Sequence, residues 1–236
     1  CVSTVMDKMS ESIELFGVQD LAVRRVEAAL KSTKGAAGVT SKELQKLASS
    51  LQGLSTFGDE ATLEMTALML TFTQIKDPVL KDAIAMVQNM ASAMGTDMKT
   101  QALMLGKALN DPVMGISALS RVGVQLTETQ KEQIRSFMAV NDVASAQGVI
   151  LGELGTQFGG MAQAEAKAFS GQLVQLQNTW GDVMEDFGRL RFDKILSKYK
   201  LKNLLDKAVK SLVVIKNELE FKKNYKLLRY NFSMFK

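Results

Sequence analysis

Chemistry in this sequence is left to carboxylates and amines. Histidine is absent and the single cysteine is Cys1. Without histidine there is no Ser-His-Asp or Cys-His relay and no histidine-ligated zinc. One cysteine gives neither an intrachain disulfide nor a thiolate cage. Carboxylate pairs such as Glu185-Asp186 are the residues that could act as acid and base. Adjacent positions face different sides of a helix, so this pair does not converge on one substrate. The stretch GELGTQFGG, residues 152–160, lacks a preceding strand and a following Gly-Lys-Ser/Thr. It reads as a turn rather than a phosphate cradle. The sequence thus implies no enzyme, no cofactor, no bound metal and no small-molecule substrate.

The elements that must position any surface are helical. Of 236 residues, 46% are apolar, enough for a real core and unlike a disordered chain. Two prolines and three tyrosines stand beside 14 methionines and many Ala, Leu, Gln and Lys, a balance that favours helix. The most apolar stretch, Met65 to Ile75, is too short to span a bilayer and carries Thr66, Thr71, Thr73 and Gln74. No signal-peptide pattern opens the chain. Cys1 in place of Met predicts a fragment assembled in the cytosol, the alternative being a processed lipoprotein, for which no lipobox is visible.

Helix ends are readable. Asp77-Pro78 and Asp111-Pro112 each place a capping carboxylate before a proline suited to the first helical position. Thr40–Glu43 and Thr127–Gln130 fit the capping box. Gly95 reads as a C-cap followed by the N-cap pair Thr96-Asp97, and Asn141-Asp142 opens a helix that Gly159-Gly160 ends. These signals predict helices at about 2–16, 19–34, 41–52, 59–75, 78–94, 97–109, 112–122, 128–139, 142–157 and 161–189. Residues 122–126 are expected to be a linker. Leu63, Ala67 and Leu70, and Ile84, Val87, Ala91 and Met94, recur at helical spacing. The methionines Met65, Met69, Met86, Met90, Met94, Met98 and Met104 crowd this middle. They suit a soft core, or a surface that packs on other copies or partners.

Ala162, Ala166, Phe169, Leu173, Leu176, Trp180, Val183, Phe187 and Leu190 are spaced alternately four and three residues apart. That spacing is a heptad seam of about four heptads. It predicts a long helix whose stripe, Phe169 through Phe187, packs along the domain or pairs with another chain. Trp180 is expected to be buried in that contact, at a cost of about 3–5 kcal/mol for Trp180→Ala. A second seam runs Leu201, Leu205, Ala208, Leu212, Ile215, Leu219, after an interruption at Lys194 and Ser197.

Charge is uneven. Residues 191–236 hold 13 basic and 4 acidic groups, leaving 16 basic and 21 acidic in residues 1–190. A basic tail is a contact for nucleic acid, acidic protein or membrane surface, or a solvated helix face. The ending LEFKKNYKLLRYNFSMFK departs sharply in composition, as a genuine tail or as a truncated or altered reading frame. The expected class is therefore all-α: a multi-helix array of short capped helices over 1–159, a long heptad-patterned helix over 160–190, and a basic amphipathic tail over 191–236.

Three stretches carry a family resemblance. GKALNDPVMGISALSRVGVQLTETQKEQI, residues 106–134, resembles the most recurrent stretch of the tail-length tape measure proteins of long-tailed bacteriophages. FGDEATLEMTALMLTFTQIKDPVLKDAIAMVQNMASAMGTDMKTQALML (57–105) is similar to that family's preceding helices. DVASAQGVILGELGTQFGGMAQAEAKAFSGQLVQLQNTWGDVMEDFG (142–188) resembles the helices leading into its long coiled region. The resemblance covers roughly residues 10–190 and fails after about 191. It implies a virion structural protein held in several copies in the tail tube lumen, around which tube subunits polymerise, and which leaves ahead of the DNA at ejection. The implied partners are other copies of itself, the tail tube protein and tail assembly chaperones, with transient contact to DNA or membrane through the basic tail. Assembly would occur in the cytoplasm of the bacterial host. A rise of about 1.5 Å per residue converts helix length into tube length, so 236 residues would span about 350 Å, a piece of such a ruler. The competing reading is a helical membrane- or partner-binding module with a basic tail.

Overall fold

The computed structural model describes the backbone of residues 2–120 and 123–198, and the side chains of residues 12–190 apart from 118, 121 and 122. The basic tail's later part and the seam from Leu201 to Leu219 lie outside the described residues. The described residues form ten helices and no strand. These are α1 (Val2–Ser32), α2 (Ser41–Gln52), α3 (Asp59–Met69), α4 (Val79–Met94), α5 (Met98–Asn110), α6 (Pro112–Ser120), α7 (Glu128–Ala139), α8 (Val143–Phe158), α9 (Met161–Lys167) and α10 (Phe169–Lys198). The chain is all-α. It divides into two compact units, Cys1–Glu185 and Asp186–Lys236.

Local chemistry sets most ends. Thr40 Oγ1 accepts from the Glu43 N–H (3.3 Å), and Glu43 Oε2 accepts from the Thr40 N–H (2.8 Å), closing a capping box on α2. Asp97 Oδ1 accepts from the Thr100 N–H at the start of α5, and Asp142 Oδ1 from the Ser145 N–H at the start of α8. Gly95 ends α4 in the left-handed conformation, at φ 61°.

Three boundaries differ from the sequence reading. The two helices expected on either side of Gly17 are one continuous helix, α1. A lone glycine costs about 1 kcal/mol in a helix but does not end it, and α1 packs along α3. Conversely, α3 stops at Met69 rather than at 75. Thr71 Oγ1 donates to the Leu68 carbonyl (2.7 Å), so the last turn closes on a side chain. Turns then carry Leu70 and Ile75 into the core. The helix expected over 161–189 is broken at Ala168, whose ψ of 155° is extended. Ala162 and Ala166 bury on α9, which packs against α4, and the chain sets out again as α10. At this corner Gly171 sits so close to the Glu165 carbonyl and the Ala166 backbone that a Cβ would collide with both.

The core of the first unit gathers around α4, which packs on α3, α5, α8 and α9. Leu80, Ala83, Ile84, Val87, Met90 and Ala91 of α4 are buried, as are Met65 and Met69 of α3. Met86, Met94 and Met104 pack partly buried against them. Helices this short persist by tertiary packing rather than propensity. Two buried glutamines satisfy polar groups in this interior. Gln88 Nε2 donates to Thr62 Oγ1 (2.9 Å). Gln147 Nε2 of α8 donates to the carbonyls of Leu109 (2.8 Å) and Gln74 (3.0 Å), tying α8 to the end of α5 and to the α3–α4 turns. Residues 124–127 have no regular structure, and Val124 and Leu126 are buried from that linker.

Candidate functional site

α10 carries opposite chemistry on its two sides. Phe169 (78% exposed), Leu173, Leu176 (66%), Trp180 (57%) and Val183 lie on solvent in the first unit. Phe187 and Leu190, in the second, are exposed as well. The indole that the sequence reading places in a buried contact is thus open within the single chain, because the rest of the fold meets α10 on its other side.

That other side is polar. Gln175, Asn178, Asp182 and Glu185 recur at steps of three and four residues, so they share one helix face. Gln175 Nε2 donates to the Gly53 and Ser55 carbonyls (both 3.3 Å) and Asn178 Nδ2 to the Thr56 carbonyl (3.4 Å). Gln52 at the end of α2 is the hub of this corner. Its Oε1 accepts from the Asp59 N–H (2.7 Å), serving an open donor at the start of α3, and its Nε2 donates to Asp182 Oδ2 (2.6 Å).

Four carboxyl groups meet here: Asp59 and Glu60 from the first turn of α3, Asp182 and Glu185 from α10. Gln19 of α1 donates to Asp59 Oδ2 (2.8 Å). Burial pushes the Asp59 carboxyl up to about 6, with the charges of Glu60 and Asp182 adding to it and the Gln19 hydrogen bond opposing. Burial raises Glu185 further, to about 9, helped by a hydrogen bond to Glu60 and by the charges of Glu60, Asp59 and Asp182. Glu185 is 8% exposed, and its Oε1 has no hydrogen-bond partner; neither do Asp59 Oδ1 and Gln19 Oε1.

The positions singled out from the sequence fall in two places. Asp111 Oδ1 accepts from the Met114 N–H (3.1 Å), and Pro112 is the first residue of α6. Thr127 and Gln130 exchange both bonds of a capping box on α7 (3.2 and 2.8 Å), and Gln130 Nε2 also reaches Glu153 Oε2 (2.7 Å). At α4 the cap position falls on Pro78, which offers no side-chain acceptor, and Asp77 Oδ2 instead takes Lys81 Nζ (2.9 Å). Phe169, Leu173, Leu176, Trp180 and Val183 form the open face of α10 in the first unit, and Phe187, in the second, is exposed. Of the polar corner the sequence reading names only Glu185, as an acid–base candidate with Asp186; Gln19, Gln52, Asp59 and Asp182 are not singled out by it. The corner's signal was the Gln175–Asn178–Asp182–Glu185 stripe running opposite the heptad seam.

A groove of about 420 Å³ lies beside the start of α4 and α8, with Asp77 and Asp142 among its lining. Both carboxylates are spent on structure, one on Lys81 and one on the Ser145 cap. Among the described residues no group of three His, Cys, Asp or Glu is arranged to hold a metal ion, and no helix is long and apolar enough to cross a membrane. No curated protein and no solved structure matches the chain significantly. Residues 20–135, from the middle of α1 through most of α7, match the prophage tail length tape measure proteins, a structural family of the phage tail. Over those residues the chain is similar to the prophage tail length tape measure protein family, which supports a phage tail role in general.

Proposed function

We propose that this chain acts in the tail tube as part of a tape measure, with α10 pairing with other copies of the chain. The outward apolar seam of α10 carries the reading: a stripe from Phe169 to Val183 left on solvent loses its hydration cost only when another surface covers it. Heptad spacing suits a second helix of the same kind. In this reading the chain occupies the tube lumen, the tail tube protein polymerises around it in the host cytoplasm with assembly chaperones present, and it leaves before the DNA. Its role is geometric, and no reaction is assigned to it.

Sedimentation of the full chain against the Leu176→Glu, Trp180→Glu double variant tests the pairing. Association by the parent chain and a monomeric variant are expected. An equally monomeric parent up to high micromolar concentration would remove the basis for self-pairing. Polymerising tail tube protein with the chain and probing protease protection tests the lumen. Seam-dependent binding of anionic liposomes, without self-association, would favour the membrane-binding module instead.

A further inference from the structure

We propose that Asp59 and Glu60 of α3 with Asp182 and Glu185 of α10 form a proton-operated latch, which holds α10 on the α2–α3 corner while the cluster keeps its protons and releases it when they leave. The latch goes beyond the assembly reading and operates whatever surface the seam pairs with.

The attachment of α10 at this corner is polar. Gln175 and Asn178 make side-chain bonds of 3.3–3.4 Å to loop carbonyls. Water can replace such bonds at small net cost. The exposed seam adds no apolar burial to this contact, and among the described residues of α10 Met184, 8% exposed, is the buried apolar side chain. The carboxyl cluster is therefore the part of this attachment that protons can switch. Glu185 is more than nine-tenths buried with one oxygen unpartnered, in a spot where Asp59 Oδ1 is also unpartnered. Glu60 and Glu185 face each other through a hydrogen bond, which needs a proton on one of them because ionised carboxylates only accept.

The described groups facing Glu185 explain why the proton is retained. From α3 come Asp59 and Glu60, and from α10 itself Asp182. α1 contributes the neutral Gln19 and α2 the neutral Gln52. Arg25 of α1 and Lys99 of α5 are both paired with Glu64, four residues and about one turn beyond Glu60 on α3. Ionising Glu185 in place would add a charge to a half-dry group of three other carboxyls. Release hydrates all four, so the docked state binds more protons than the released one.

Double electron–electron resonance on the full chain reads the latch directly. Spin labels go on the exposed positions 49 and 177 through Ser49→Cys and Gln177→Cys, with Cys1→Ser and dilution in unlabelled chain so that only the intramolecular distance is seen. For one coupled proton, the docked-to-released ratio should fall roughly tenfold per pH unit between pH 6 and pH 9. Glu185→Gln, neutral at every pH, should hold the short distance to pH 10. Glu60→Gln, removing the facing charge, should move the opening to higher pH and serves if the first variant does not fold. A distance constant from pH 5 to 10 in the parent chain would overturn the latch, as would a Glu185→Gln protein that opens where the parent does. Because the readout is intramolecular, loss of self-association leaves it unaffected.

Discussion

Trp180 and Glu185 stand on opposite sides of α10, the indole 57% exposed and the carboxyl 8%. Five residues of helix turn through about 140°, so one side chain reaches solvent while the other reaches α3. The apolar member of the pair is outside and the acid is inside. That inversion leaves an apolar stripe on solvent and an acid against the body, and the outcomes below depend on it.

Trp180→Ala should leave the single chain's stability within about 0.5 kcal/mol, the range for an exposed position. This replaces the 3–5 kcal/mol expected for a buried indole. Chemical denaturation at low micromolar concentration gives the value. Parent-chain fluorescence should resemble solvated indole when dilute and shift to the blue on assembly.

Stability should fall as pH rises above the ordinary carboxylate range. Asp59 and Glu185 have folded-state affinities raised to about 6 and about 9. A raised acid contributes stability that is complete below its unfolded value and lost as pH climbs through the folded one. The loss for Asp59 is therefore over by about pH 6, and that for Glu185 continues to about pH 9. Glu185→Gln should raise the urea midpoint at pH 9 and change it little at pH 4. The same difference at both pH values would contradict the assignment.

Asp111→Ala should cost about 1 kcal/mol, because Met114 loses its only cap acceptor from that side chain. Asp77→Ala should cost less, since it removes a surface pair with Lys81 rather than a cap. Thermal midpoints of the two variants rank them.

Two glycines should respond oppositely to alanine. Gly17 lies inside α1 with open space where a Cβ would go, so Gly17→Ala should stabilise by about 0.5–1 kcal/mol. Gly171 meets backbone atoms of Glu165 and Ala166, which cannot rotate aside, so Gly171→Ala should destabilise by about 1–3 kcal/mol. Equal effects at both would show that the α9–α10 corner yields.

Gln147→Leu keeps bulk at a buried site but strands the carbonyls of Leu109 and Gln74. The expected cost is about 1–3 kcal/mol. Amide exchange should quicken first at the end of α5 and the start of α4.

The sequence by itself determined the all-α class and most helix starts, because caps act over three or four residues. Thr40 with Glu43 and Thr127 with Gln130 find each other along the chain wherever the helix is placed. It also determined the heptad spacing and the family resemblance. Tertiary structure decided the rest. Gly17 is compatible with a break or a continuous helix, and packing of α1 on α3 settles it. Ala162 and Ala166 fit the same apolar stripe as Phe169 and Leu173, yet two small side chains bury against α4 while the large ones stay on solvent. Periodicity gives the angle of a stripe around its helix, not the direction in which the body lies. Asp59 and Glu185, far apart in sequence and each unremarkable alone, acquire their raised proton affinity only where α3 and α10 meet.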